Sequence, residues 1–156
     1  MLENGQGTLS RQEGQLRDVI DRAIAASVVG ENAIKIQRKR AEEAIALDTD
    51  LDRLTQVFIN LIANAQKYCT AAEPVLRIMV RKAGGRVAVD FIDNGDGIAK
   101  EHQEMLFEKF SRLSDHRKAG GAGLGLAICR EIMIRLGGSI SYLPGQGGAA
   151  FRVILP

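Results

Sequence analysis

Asn60, Asn64 and Lys67 in the stretch "QVFINLIANAQKY" are spaced four and three residues apart, so on a helix they fall along one edge. Amide oxygens are hard, neutral donors suited to Mg²⁺ when waters and substrate phosphates complete its shell. An ammonium one turn further on can meet the same phosphates. A single Asn is more often part of a solvated face. Asp93, in "VAVDFIDNGDGI", offers a second chemistry. Val87, Val89, Phe91 and Asp93 share one face of a strand by alternation, and a carboxylate at the end of an apolar row needs a partner or a use. Accepting a hydrogen bond from an exocyclic amine, as on adenine, is one use, with Gly95 and Gly97 letting the backbone approach the ring. An Asp-Asn-Gly turn is the plainer account of the same residues.

The third feature is "AGGAGLGLAI", residues 119–128, with four glycines leading into an apolar stretch. A glycine run opening a helix offers free backbone N–H groups to an anion. The dinucleotide fingerprint fails, because position 126 is Leu and a charged loop rather than a strand precedes the run. The Walker pattern fails too, since neither Lys nor a hydroxyl follows Gly125. Alone, the run reads as a flexible loop. Upstream, "LFEKFSRLSDHRK" supplies Phe107 and Phe110, which suit either a pocket wall or plain core packing, then Arg112 and three further basic residues. Hinged at Gly120 and Gly121, such a loop could close over a triphosphate.

The elements that must position these groups are legible in the same way. Leu16, Val19, Ile20, Ala23 and Ile24 predict an amphipathic helix ending near Gly30. Ile34 and Ile36, then "AIAL", predict two short strands. Leu51, Leu54, Phe58, Leu61, Ile62 and Ala65 keep helical register, with Thr49 and Asp52 spaced as a capping box. "VLRIMVRK" and "RVAVDFID", joined by "AGG", predict a hairpin. A short helix is expected around residues 101–109, and another from about Leu124 to the glycine pair 137–138. "SISYL" and "AAFRVIL" close the chain as strands. This order is α+β, with helices on one face of a mixed sheet, and not a βαβ repeat.

Composition sets the frame. The 156 residues are 46% hydrophobic and 26% charged, enough for one core. Net charge is +2, without a basic stripe interleaved with aromatics, so no nucleic-acid partner is implied. No apolar run approaches the roughly 20 residues of a membrane span, so the chain is expected to be cytoplasmic without direct membrane contact, whatever anchors its parent. Cys69 and Cys129 lack metal-ligand spacing and read as small buried residues.

Taken in this order, the segments resemble the ATP-binding catalytic domain of two-component sensor histidine kinases, in the wider family of gyrase, the Hsp90 chaperones and MutL. The likeness runs through an asparagine box "QVFINLIANAQKY", a glycine box "DNGDGI", a phenylalanine box "LFEKF", a second glycine box "GGAGLGLAI" and the closing strands. It covers about residues 16–156 and implies the Bergerat α/β sandwich, a mixed, mostly antiparallel sheet with helices on one face. Residues 1–14 would be a flexible tail or remnant of a dimerisation segment, and 15–156 the ATP-binding domain. The resemblance implies ATP and Mg²⁺, with Asn64 as the metal ligand, Asn60 and Lys67 beside the phosphates, and Tyr68 against the nucleotide. Asp93 would bind the adenine amine, with Gly97 shaping its pocket and Gly95, Ile98, Phe110 and Leu126 as further nucleotide contacts. Gly121, Gly123, Leu124 and Gly125 would meet phosphates through backbone N–H groups, and Arg112 would help hold the γ-phosphate.

Asn60 also discriminates. Hydrolytic members and the anti-sigma serine kinases resemble one another in having Glu here, where a carboxylate can take a proton from water. An amide cannot, which favours transfer of the γ-phosphate to a histidine on a separate dimerisation domain and, beyond it, relay to a response-regulator receiver. Ala149 and Ala122 stand where the family often has Thr. Neither His102 nor His116 matches a phosphoacceptor. A pseudokinase scaffold or a serine kinase are the alternatives.

Overall fold

The computed structural model describes residues 9–27, 33–108 and 122–156. Its centre is the hairpin that the two alternating stretches spell. Strand β4 (Val75–Ala83) pairs antiparallel with β5 (Arg86–Asp93), setting Ile78 against Phe91 and Val80 against Val89. Gly84 and Gly85 connect them at φ +60° and +79°, the left-handed backbone that a tight turn between twisted strands requires. Strand β7 (Ala150–Ile154) pairs with β5, and β6 (Ser139–Tyr142) with β7, both antiparallel. Strand β2 (Lys35–Arg38) joins β4 in parallel, which gives the order β2-β4-β5-β7-β6.

Helix α1 (Leu16–Ser27), α2 (Leu51–Tyr68) and α4 (Ala122–Leu136) bury their apolar stripes in the core formed with the sheet's inner face, α2 lying between α1 and α4. Phe58 of α2 meets Phe91 of β5 with ring centroids 5.1 Å apart. The mixed, mostly antiparallel sheet with helices on one face is the architecture expected from the order of elements. Among the described residues no helix is long and apolar enough to cross a membrane.

Three local expectations change. Residues 12–15, too polar to predict as a strand, form β1 (Gln12–Gln15), paired antiparallel with β3 (Ala46–Thr49) in a separate small sheet. The cap of α2 is Asp50, not Thr49: Asp50 Oδ1 accepts from Arg53 N at 3.1 Å, while Thr49 belongs to the β3 ladder. The short helix α3 spans only Lys100–Gln103, followed by turns through residue 108. The glycine stop of α4 is as expected, with Gly137 at φ +91° and Gly138 N donating to Met133 O. Gly30, the expected end of α1, lies outside the described residues.

Candidate functional site

Strand β5 delivers Asp93 to the end of its inner, apolar row, and the loop after it explains what that carboxylate does locally. Asp93 is 8% exposed. Its Oδ1 accepts from Gly95 N at 2.9 Å and from Ala149 N at 3.0 Å, which fixes the carboxyl plane. Oδ2 takes no part in these bonds, and the side chain borders a cavity of about 250 Å³. The cavity walls are largely apolar, with Leu76, Phe91, Leu106, Ile98 and Phe151 among them. A largely apolar slot with the fixed carboxylate of Asp93 in its wall, and Asp96 also on its lining, suits a flat heterocycle bearing an amine.

Glycines shape that slot in two ways. Gly97 sits at φ +82°, a conformation that other residues adopt only under strain. Gly148 is required by contact, since a Cβ there would lie 2.0 Å from Asp93 O. Tyr142 closes the loop by accepting a hydrogen bond from Ile98 N at its hydroxyl, 3.2 Å away.

A second cavity, about 180 Å³, adjoins the first, with Asn64, Tyr68 and Leu126 lining both. Asn60, Ala63, Lys67 and Gly125 complete its lining. The helical spacing thus does bring the two amides and the ammonium to one edge, and it faces the start of α4. Asn60 is half-buried, and its Nδ2 donates to the Cys129 sulfur at 3.5 Å. Burial pushes the Cys129 thiol up to about 11 despite that amide, so it stays neutral at physiological pH. At Gly125 an added Cβ would meet nothing within 4 Å. The packing of the described residues does not demand glycine there, whereas the close approach of a ligand to the helix N-terminus would.

The donor set also fits a Mg²⁺ ion. Among the described residues no three His, Cys, Asp or Glu side chains gather as a metal cage. Mg²⁺ held mainly by phosphates and waters needs only one or two protein oxygens, and Asn64 lines both cavities.

Of the residues singled out from sequence, Asn60, Asn64, Lys67, Tyr68, Asp93, Gly95, Gly97, Ile98, Gly125 and Leu126 line these adjoining cavities. Gly123 and Leu124 lie in the first turn of α4. Arg112, Phe110 and Gly121 lie outside the described residues, as does Gly120. Cys69, expected to be buried, is half-buried and lines the first cavity beside Thr70. Missed by sequence reasoning were Gly148, Tyr142 and the N–H of Ala149. The last has no residue-type signature at all, and the other two act across the sheet from partners 44 or more positions away in the chain.

Residues 49–156 match the model of the histidine kinase-, DNA gyrase B- and HSP90-like ATPase family. The sensor protein KdpD of Escherichia coli (strain K12) is 32% identical over 156 residues, which is 99% of this chain but 17% of that protein. The chain therefore spans less than a fifth of that relative's length. The catalytic domain of histidine kinase ThkA superposes with a TM-score of 0.75 at 25% identity, over 95% of this chain and 96% of that one. Full-length ShkA in complex with AMPPNP gives 0.72 at 25% identity, over 96% of this chain and 31% of that one.

Proposed function

Since the chain belongs to the histidine kinase-, DNA gyrase B- and HSP90-like ATPase family, we propose that its adjoining cavities bind ATP with Mg²⁺ and present the γ-phosphate to a histidine on another domain of the parent protein. The observation that carries this reading is the pairing of an apolar slot ending at Asp93 with a polar one lined by Asn60, Asn64 and Lys67. The first has the chemistry of an adenine pocket and the second that of a polyphosphate groove. AMPPNP in the ShkA complex is a nucleotide of this kind.

In this reading Asp93 Oδ2 accepts from the adenine amine, while the two backbone donors on Oδ1 keep the carboxyl from rotating away. Lys67 and the free N–H groups at the start of α4 neutralise phosphate oxygens. Asn64 would hold the Mg²⁺, which supplies charge neutralisation on the phosphates. Asn60 cannot abstract a proton from water, so the site retains ATP for a protein acceptor rather than hydrolysing it. Sequential relay to a response-regulator receiver follows from the same reading.

Asp93→Asn is the decisive variant. Asparagine keeps an oxygen for the Gly95 and Ala149 N–H groups, so folding survives, but it replaces the acceptor facing the amine with a donor. Calorimetric titration with Mg²⁺ present should find ATP preferred over GTP in the parent chain. The variant should lose about 1–3 kcal/mol of ATP affinity, and with it the preference. Equal ATP affinity in the two proteins would sink the assignment. Asn64→Ala should remove the dependence of ATP binding on Mg²⁺, which titrations with and without EDTA measure.

A further inference from the structure

The sheet face turned away from the helices carries charge that the adjoining cavities do not use. Alternation that points Ile78, Val89 and Phe91 inward puts Arg77, Arg81, Asp90 and Arg152 outward, and the parallel pairing of β2 with β4 adds Lys35. Asp90 is the one carboxylate among them. It is 1% exposed, accepting from Arg152 Nε at 2.8 Å and Nη2 at 2.9 Å, and from Arg81 Nε at 3.1 Å. A single carboxylate is thus shared between two guanidiniums. Among the described residues Lys35 makes no ion pair, and the Arg77 guanidinium has only the Met79 sulfur, 3.8 Å away. Two of these guanidiniums share Asp90, which leaves Lys35 and Arg77 without a counter-charge among the described residues. Arg77 also borders a shallow depression of about 410 Å³ together with Gln37, Asn94, Gln146 and, at the end of β5, Asp93.

We propose that this open face docks an acidic surface of a partner protein, with Arg77 as its anchor. A free guanidinium fork beside amide side chains matches a carboxylate bidentately. Half-buried Met79 and Ile154 on the same face add apolar surface beside the cations. The described residues of this face include no aromatic ring on which a base could stack. A second copy of the chain would set like charges opposite one another. Asp93, at the end of β5, borders both the first cavity and the depression beside Arg77, so the test reads ATP affinity alongside docking.

The test uses the 156-residue chain labelled with ¹⁵N and titrated with poly-L-glutamate, with duplex DNA and phosphatidylserine vesicles as parallel arms. The expected result is salt-sensitive shifts of backbone amides in β2, β4, β5 and β7, with poly-L-glutamate bound most tightly. The double variant K35E/R77E should weaken that binding about tenfold or more, while ATP affinity is unchanged. The double variant K100E/R130E, an equal charge change on exposed helix residues elsewhere, should have little effect. Shifts confined to other surfaces, preference for DNA or vesicles, or an equal loss in K100E/R130E would overturn the proposal.

Discussion

Gly125 and Gly148 are glycines for opposite reasons, and the contrast separates ligand demands from folding demands. At Gly148 a methyl group would collide with the Asp93 backbone, so Gly148→Ala attacks the fold and the carboxylate at once. At Gly125, within the helical segment of α4, no described residue would meet an added Cβ within 4 Å. Gly125→Ala should therefore leave the free protein as stable as before or up to about 1 kcal/mol more stable, because alanine is the better helix former. In the proposed reading the same change should weaken ATP binding about tenfold or more by keeping phosphate off the backbone. Thermal melting without nucleotide and calorimetry with it check both halves; unchanged affinity would mean that phosphate does not approach there. Residue types told much of this site in advance. Asp93 is a polar group at a position set by an apolar alternation, an exception that stands out in a sequence, and Asn60, Asn64 and Lys67 recur at helical spacing along one edge of the apolar stripe. The donors that hold Asp93 do not, since every residue except proline carries an N–H.

At the scale of elements, strong periodicity was legible and capping was not. Phe58, Leu61 and Ile62 announce α2 unaided, but Thr49 and Asp50 are both good caps by type. The choice is made by the chain far away: Gln12 pairs with Thr49 and makes it a strand residue, while Ser10 N donates to Asp50 Oδ2 at 3.1 Å. The polar strand β1 was invisible for the same reason, because its only strong recommendation is a partner more than 30 positions later in the chain. Asp50 is thus both a cap and a tie to the N-terminal segment, and is 4% exposed. Asp50→Ala should cost about 1–2 kcal/mol, read as a lower urea midpoint. Asp50→Asn should recover most of that, because its amide oxygen still serves Arg53 N. An alanine variant as stable as the parent would remove the cap from the list of things holding α2.

For the molecule as a whole, an ionic cluster holds α1 to the turn at Arg40–Glu43, and no periodicity foretells it. Glu43 is fully buried and receives Arg38 through Nη2 at 2.5 Å. Arg38 also meets Asp21 at 2.8 Å, and Arg40 meets the other Asp21 oxygen at 2.6 Å. A buried carboxylate facing a guanidinium adds little net stability while the pair is intact, yet is costly to orphan. Asp21 lies at the wetter end of this cluster, so its charge can be titrated without opening the core. The hydrogen bond from Arg40, with help from Arg38, lowers its carboxyl from 3.8 to about 2. A depressed carboxyl stabilises the fold above its unfolded value, near 4, and that contribution drains away as pH falls through the folded value, because the unfolded chain takes up the proton first. Asp21→Asn should therefore be less stable than the parent at neutral pH, with the difference shrinking between about pH 4 and pH 2 and gone below that. Urea midpoints of the two proteins across this range should converge on acidification. Curves that stay parallel down to the lowest pH would show that Asp21 contributes through something other than its charge.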